Sequence, residues 1–299
     1  MTLSNMQYKN IQLPNGETIA YQEREGGHKK ILLIHGNMTS SVHWDLVLEN
    51  MDPSYKLYAI DMRGFGRSTY HNQVHSIKEF SDDVTEFVKA VSLSDFSIIG
   101  WSTGGAVAMQ FVAENPGVCN KLVLLASAST RGYPFYGRKA DGQPDFENRL
   151  TTYEEVKLDV GKTKLYQTTY KIKDRDFLKM VWDSLIYTKN QPNAEKYEEY
   201  IDDMMTQKNL AEIYYSLNTF NISEKHNGLI EGNGLVKNIK LPVLILSGDR
   251  DLIIREYMVK EIIEDLGDVA RFVELKDCGH SPLVDDLDQL LHVITEFLD

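Results

Sequence analysis

Short apolar runs that alternate with helical periodicity constrain the fold of this chain more than any other feature of its sequence. Six runs are typical of strands buried on both faces of a sheet: residues 31–34, 57–60, 96–99, 122–125, 243–246 and 271–275. Helical periodicity lies between and after them, at residues 77–91, 103–114, 252–266 and 283–298. Buried strands that alternate with helices form right-handed βαβ units, so we predict an α/β fold with a mostly parallel central sheet.

Two further strands are predicted near the beginning of the chain. Residues 8–13 and 17–23 flank Pro14-Asn15-Gly16, a turn sequence that favours an antiparallel hairpin. The predicted sheet therefore begins with an antiparallel pair and continues with parallel strands.

The alternation of strands and helices stops between residues 130 and 236. This stretch has helical patterns without buried strand runs. It holds ten of the 16 tyrosines: Tyr133, Tyr136, Tyr153, Tyr166, Tyr170, Tyr187, Tyr197, Tyr200, Tyr214 and Tyr215. Because strand and helix signals return after residue 240, we predict that residues 130–236 are a helical cap inserted into a core made of residues 1–129 and 237–299. A domain boundary near residue 130 is the alternative.

The charge balance limits the classes of partner. Lys and Arg number 32 and Asp and Glu number 44, a net charge of −12. Nucleic-acid binding needs a basic footprint, and an acidic chain is repelled by anionic membranes, so we predict neither partner. This argument uses only the total charge, so it does not exclude a basic patch on part of the surface.

The sequence lacks signals for export. The first residues lack the pattern of a secretion signal, no apolar run reaches the length of a membrane span, and Cys119 and Cys278 are too few for a disulfide framework. We therefore expect a cytoplasmic protein.

The strongest chemical signal is the sequence Gly100-Trp101-Ser102-Thr103-Gly104. A G-x-S-x-G pattern is weak alone, but here it lies between a predicted strand and a predicted helix, the context that a nucleophilic serine requires. The sharp turn presents the serine hydroxyl above the strand end. A helix-capping serine in an ordinary Gly-Ser turn is the alternative.

A serine hydroxyl needs a neighbouring base, and His280 is the best placed of the eight histidines. It lies in a loop that follows the last predicted strand, and catalytic groups collect at the carboxyl ends of parallel strands. The acid that orients the histidine should follow another strand. We favour Asp251, because it fits the Gly-x-x-Asp spacing that begins at Gly248, and Asp249 is the alternative. The order Ser102, Asp251, His280 matches one known arrangement of the catalytic triad.

A tetrahedral oxyanion needs two fixed N–H donors. We predict that the backbone N–H of Thr103, directly after the serine, is one of them. The loop after residues 31–34 reads His35-Gly36-Asn37-Met38, and Gly36 permits a close approach, so the N–H of Asn37 is the predicted second donor. His35 is expected to hold this loop by hydrogen bonds rather than to act as a base.

Signals for a metal or a cofactor are missing from the sequence. Gly64-Phe65-Gly66 lacks the third glycine of a dinucleotide loop, so we interpret residues 61–68 as an internally hydrogen-bonded turn. Metal-ligand motifs and a phosphate-binding loop are also absent from the sequence. We predict neither a metal nor a cofactor.

These motifs, taken together, resemble those of the α/β-hydrolase superfamily over nearly the whole chain. The single glycine before Asn37 is similar to that of bacterial intracellular carboxylesterases, and residues 130–236 resemble the cap of many members. The resemblance implies Ser102 as nucleophile, His280 as base and Asp251 as its orienting acid. Met38 and Trp101 flank the reacting groups in sequence and are predicted substrate-binding residues. We expect the Trp101 indole to pack beneath the turn. We do not expect it to bind a halide, which is the role of a tryptophan in haloalkane dehalogenases.

We therefore predict a serine hydrolase that cleaves small to medium, mainly uncharged carboxylic esters. Residues 130–236 carry 15 basic and 17 acidic side chains, so this tyrosine-rich stretch is nearly neutral and suits an uncharged substrate. A lactonase, a C–C bond hydrolase or a perhydrolase would use the same triad. A receptor that binds a small molecule without turnover is the alternative from another class.

Overall fold

The main sheet contains every strand that the sequence predicts. The computed structural model describes residues 6–299, in which eight strands form one sheet in the order β1-β2-β4-β3-β5-β6-β9-β10. The strands are β1 (Met6–Gln12), β2 (Thr18–Arg24), β3 (Lys29–Ile34), β4 (Tyr55–Ile60), β5 (Phe96–Trp101), β6 (Leu122–Leu125), β9 (Val243–Gly248) and β10 (Ala270–Leu275). The pairs β1–β2 and β2–β4 are antiparallel, whereas all other pairs are parallel. The predicted α/β fold with a mostly parallel sheet is confirmed.

Helices cover both faces of the sheet. Side chains alternate between the two faces along a strand, so the complete burial of Ile31, Leu32, Leu33 and Ile34 shows that neither face of β3 meets solvent. The helices of the core are α1 (Asp45–Asn50), α2 (Ile77–Ala90), α3 (Thr103–Glu114), α9 (Glu256–Leu266), α10 (Pro282–Asp285) and α11 (Leu287–Leu298). Helix α2 packs on α3, while α1 contacts α10 and α11.

Two predicted helices have different bounds in the structure. The helix predicted from residue 252 begins at Glu256, because the N–H groups of Ile253 and Ile254 donate to the Asp251 side chain and hold the chain in a turn. The helix predicted over residues 283–298 is divided into α10 and α11. Asp286 separates the two, since its side chain accepts the Gln289 N–H and caps the second helix.

The insertion, residues 130–236, connects β6 to β9, which are neighbours in the sheet. It contains five helices: α4 (Tyr153–Leu158), α5 (Thr163–Ile172), α6 (Arg175–Leu185), α7 (Ala194–Met204) and α8 (Leu210–Asn218). It also contains the hairpin β7 (Tyr136–Arg138) and β8 (Pro144–Arg149), which the sequence did not predict. Most side chains of this hairpin are exposed or half-buried, so no apolar run marks it.

The insertion has an apolar cluster of its own. Seven side chains from its helices are buried together with Met38 of the core: Leu178, Trp182, Tyr197, Tyr200, Ile201, Met204 and Leu210. None of the ten tyrosines of the insertion is exposed. Three of them, Tyr187, Tyr197 and Tyr200, are buried in this cluster and therefore stabilise the insertion itself.

Arg24 at the end of β2 ties the antiparallel side of the sheet to the connection between α1 and β4. Its buried guanidinium donates to the carbonyl oxygens of Leu48 (3.2 Å), Met51 (2.5 Å), Asp52 (3.0 Å) and Tyr55 (2.5 Å). A buried carbonyl that loses its donor costs free energy, because water cannot replace the bond.

Replacement of Arg24 by Met should therefore lower the free energy of unfolding by about 3 kcal/mol. The matched control is Arg271→Met, which removes an exposed ion pair with Glu296 and should cost less than about 1 kcal/mol. Urea unfolding followed by circular dichroism measures both values. Equal losses in the two variants would contradict the role given to Arg24.

Candidate active site

Ser102 lies in a strained turn between β5 and α3. Its backbone has φ +56° and ψ −117°, a conformation that residues with a side chain rarely adopt. The turn also requires two glycines. A Cβ atom at Gly100 would lie 2.3 Å from the Gly104 carbonyl oxygen, and one at Gly104 would lie 2.3 Å from the Ile34 carbonyl oxygen. The G-x-S-x-G spacing therefore follows from close packing of backbone on backbone.

The structure brings Ser102, His280 and Asp251 together. The His280 Nε2 atom lies 3.1 Å from the Ser102 Oγ atom, and its Nδ1 atom lies 3.0 Å from Asp251 Oδ2. Because a carboxylate only accepts hydrogen bonds, Nδ1 carries the proton and Nε2 is left to accept one from the serine. The side chains of His280 and Asp251 are 6% and 1% exposed, so water is nearly excluded from this pair.

Asp251 is held by the backbone that follows it. Its second carboxylate oxygen, Oδ1, accepts the N–H groups of Ile253 at 2.7 Å and Ile254 at 2.9 Å. The carboxylate is thus fixed by three partners, and its orientation toward His280 does not depend on the histidine alone.

Asp249, the alternative acid, does not contact the imidazole. Its Oδ1 atom accepts the Cys278 N–H at 3.2 Å, and its own N–H donates to the Leu275 carbonyl. These bonds join the end of β9 to the loop that carries His280. The structure therefore places Asp249 in support of that loop.

The Trp101 indole is almost fully buried beneath the turn. Its Nε1–H donates to the His280 carbonyl at 2.9 Å, and its ring packs edge-on against Trp44. The single polar atom of the indole is therefore already engaged. This placement fixes the backbone of the histidine and corrects the prediction that Trp101 contacts substrate.

The loop after β3 approaches the serine closely. A Cβ atom at Gly36 would lie 3.1 Å from the Ser102 Cβ atom, so a larger residue would crowd the hydroxyl. The backbone N–H groups of Asn37 and Thr103 have no acceptor among residues 6–299. Both amides are thus available to a bound group, as an oxyanion site requires.

His35 is completely buried and bonds to the backbone around it. Its Nε2 atom accepts the Met62 N–H at 3.0 Å, which leaves Nδ1 to donate to the Gly36 carbonyl at 2.7 Å. Burial lowers the pKa of His35 to about 4 because the charged imidazolium loses its hydration. A neutral ring that holds the loop is consistent with both bonds.

The turn at residues 61–68 is closed by internal hydrogen bonds. Asp61 accepts the N–H groups of Ser41 and Arg67, each at 2.8 Å, and burial raises its pKa to about 6. A Cβ atom at Gly66 would lie 2.3 Å from the Asp61 carboxylate.

Within residues 6–299, no group of three or more His, Cys, Asp and Glu side chains is arranged to hold a metal ion.

Met38 and Tyr133 each take part in a contact between the core and the insertion. Met38 has a positive φ of 59° and belongs to the apolar cluster of the insertion, which also contains Trp182 and Tyr200. Tyr133 donates to the Ile253 carbonyl at 3.3 Å, and burial, aided by the charge of Asp251, raises the pKa of its phenol. The insertion therefore contacts both the loop of residues 35–38 and the loop that follows Asp251.

Gln207 is a further residue at the site that the sequence did not reveal. It lies between α7 and α8, and its Nε2 atom donates to Asn37 Oδ1 at 2.8 Å and to Asn209 Oδ1 at 3.0 Å. Asn209 is oriented in turn, because its Nδ2 atom donates to the Arg63 carbonyl at 2.7 Å. Two amides in a loop form no recognisable motif, so only the tertiary structure could bring them to Asn37.

Residues 29–287 match the family model described as the alpha/beta hydrolase fold. Lipase 1 of Psychrobacter immobilis is 24% identical over 297 residues, which are 96% of this chain and 82% of that protein. The pimeloyl-(acyl-carrier protein) methyl ester esterase of Pectobacterium carotovorum is 28% identical over 138 residues, 45% of this chain and 51% of that protein.

An esterase from Exiguobacterium antarcticum has a similar structure. The TM-score is 0.74 at 16% sequence identity, and the alignment covers 98% of this chain and 99% of that one. At this level of identity the likeness concerns the fold. The match of the family model over residues 29–287 shows that the chain belongs to the alpha/beta hydrolase fold family.

Proposed function

We propose that this protein is a serine hydrolase that cleaves carboxylic esters through an acyl-enzyme. The observation that carries the proposal is a single imidazole, that of His280, within hydrogen-bond distance of both the Ser102 hydroxyl and the Asp251 carboxylate. This arrangement activates a serine that is otherwise a weak nucleophile. Lipase 1 and the two esterases above are named for the same kind of bond cleavage.

In the first half of the reaction, the Ser102 Oγ atom attacks the ester carbonyl carbon and its proton passes to His280 Nε2. The resulting imidazolium keeps its Nδ1 proton, and Asp251 stabilises the positive charge. The tetrahedral intermediate then collapses, the bond to the alcohol oxygen breaks, and His280 returns the proton to the leaving alcohol. The acyl group remains on Ser102.

In the second half, water replaces the alcohol. His280 Nε2 takes a proton from the water as its oxygen attacks the acyl carbon, and the same proton returns to Ser102 when the carboxylic acid leaves. The N–H groups of Asn37 and Thr103 hold the negative oxygen in both tetrahedral intermediates. The enzyme ends in its starting state.

The insertion supports a preference for uncharged esters. Its charges nearly cancel, and Tyr133 and the apolar cluster that contains Met38 are the parts of it that adjoin the candidate site. Apolar and aromatic walls favour neutral groups, because a charged group would lose hydration without gaining a partner.

Replacement of Ser102 by Ala should lower kcat for p-nitrophenyl butyrate by about 10⁴-fold or more, because the nucleophile is lost. It should also abolish labelling by a fluorophosphonate probe. The control is Ser94→Ala, an exposed serine outside the site, which should retain both activities. Ester turnover near the parent level in the Ser102 variant would refute the assignment.

Replacement of Asp251 by Asn should lower kcat by about 10⁴-fold, because an amide favours the wrong tautomer of His280. Asp249→Asn is the matched control, and its effect should be at least 100-fold smaller, since Asp249 bonds to a backbone N–H and not to the imidazole. Steady-state kinetics of the two variants decide between the two acids. A larger loss at Asp249 would reverse their roles.

A neutral ester should be hydrolysed faster than a charged ester of equal size. Comparison of kcat/KM for p-nitrophenyl esters of butyric and succinic acid tests this, and a longer acyl series maps the depth of the site. A higher kcat/KM for the succinate ester would contradict the preference inferred from the insertion.

Gln207 should position the oxyanion loop through the Asn37 side chain. Asn37→Ala removes that side chain but keeps the backbone donor, so Asn37→Ala and Gln207→Ala should each lower kcat by about tenfold with little change in KM. If Gln207 acts through Asn37, the double variant should lose no more than either single one. Additive losses, or lower thermal stability with unchanged kcat, would show that Gln207 has only a structural role.

A further inference from the structure

Helix α5 of the insertion turns aliphatic side chains toward solvent. Leu165 and Ile172 are 39% and 65% exposed, and Leu158 and Val160, just before the helix, are 60% and 81% exposed. Leu165 and Ile172 are seven residues apart, so they lie on one side of the helix, with the exposed Thr168 between them. We call these four aliphatic residues, together with Lys164, Lys171 and Lys173, the outer face of α5.

Leu158 and Val160, which precede α5 in the chain, are held close to its first turn. The Asp159 carbonyl accepts the Lys164 N–H at 2.8 Å, and the Asp159 carboxylate accepts the Lys162 N–H at 2.7 Å. These bonds hold Leu158 and Val160, the neighbours of Asp159, beside the first turn of α5. The helix has ten residues, so the face is about 15 Å long.

The inner side of α5 is the more polar one. Thr163 and Thr169 are buried, and Tyr166 and Tyr170 pack against the apolar cluster of the insertion. A helix of a protein that only needs to cover its own core has the opposite arrangement, with aliphatic residues inside and polar residues outside. The outer face of α5 is therefore suited to a partner that buries aliphatic groups.

The lysines of this face identify the charge of that partner. Lys164, Lys171 and Lys173 form no ion pair with residues 6–299, and α5 itself contains no acidic residue. Between residues 157 and 189 the chain has eight basic and four acidic side chains. Four of the basic ones, Lys157, Arg175, Lys179 and Lys189, form ion pairs with acidic side chains, so among residues 6–299 the unpaired positive charge of this stretch lies on Lys162 and on the three lysines of the outer face. A positive, apolar face on an acidic protein requires a negative, apolar partner.

We propose that the outer face of α5 docks on an anionic lipid surface. Aliphatic side chains enter the boundary between head groups and acyl chains, while the flanking lysines meet the negative head groups. A second copy of the chain fits this face poorly, because a two-fold contact would place lysines opposite lysines. Within residues 6–299, none of the helices has the length and apolar composition of a membrane-spanning segment.

The sequence analysis predicted no membrane partner from the charge of the whole chain. The proposed docking depends instead on the local charge of the outer face of α5. It is independent of the proposed ester hydrolysis, because binding to vesicles is measured without turnover. Where ester hydrolysis also holds, docking places the insertion next to esters that are dissolved in the lipid.

Co-sedimentation of the full-length protein with vesicles tests the proposal. Vesicles of phosphatidylcholine with 30% phosphatidylglycerol should bind the protein, whereas phosphatidylcholine alone should bind it much less. Leu165→Asp/Ile172→Asp should abolish binding. Lys164→Gln/Lys171→Gln should weaken it about 25-fold, because each lysine near an anionic surface contributes about fivefold.

Matched controls lie on other parts of the surface. Phe272→Asp changes an apolar side chain that is 41% exposed on β10, and Lys208→Gln/Lys240→Gln removes two exposed lysines that form no ion pair with residues 6–299. Both should bind vesicles as the parent does. Circular dichroism and fluorophosphonate labelling of each variant establish that it is folded.

Three outcomes would overturn the proposal. The first is no binding to the anionic vesicles, and the second is equal binding by the parent and the Leu165→Asp/Ile172→Asp variant. The third is a concentration-dependent dimer of the parent that the same variant loses, measured by sedimentation velocity, because the face would then be an interface between copies. Loss of ester turnover in Ser102→Ala with vesicle binding intact leaves the docking proposal standing.

Discussion

The site depends on how closely three stretches of backbone approach one another. Gly36, Gly100 and Gly104 each occupy a position where a Cβ atom would press on the serine turn or on the end of β3. This contact holds Ser102 in a backbone conformation that an isolated chain would avoid. The position of its hydroxyl is consequently set by the sheet, and His280 and Asp251 reach it because β9 and β10 end at the same edge.

The central sheet and the proximity of Ser102, His280 and Asp251 could be predicted, because each of these residues follows the end of a strand that has a local sequence signal. A buried strand shows as an apolar run, and a sharp turn shows as glycines around a serine. The position of Trp101 beside Ser102 predicts both a packed indole and a contact with substrate, and the burial of the indole agrees with the first of these. The hairpin of β7 and β8 was missed because half-exposed strands have no apolar run, and Gln207 was missed because its partner Asn37 is 170 residues away.

The insertion, residues 130–236, contributes contacts to the candidate site. Its tyrosines are largely packed within it, so fewer of them are free to face a substrate than their number suggests. Through Gln207 it also reaches the side chain of Asn37, whose backbone N–H has no acceptor within residues 6–299. The loop of residues 35–38 is thus held both by the core and by the insertion.

The connection of the insertion to two neighbouring strands has an evolutionary consequence. Because β6 and β9 are adjacent, the chain leaves and re-enters the sheet at nearby points. The two strands can therefore pair whatever the length of the segment between them. In evolution, such a segment can therefore change in length without disturbing the pairing of β6 with β9. In this chain, a segment that lacked Gln207 would leave the Asn37 Oδ1 atom without the amide donor that reaches it here.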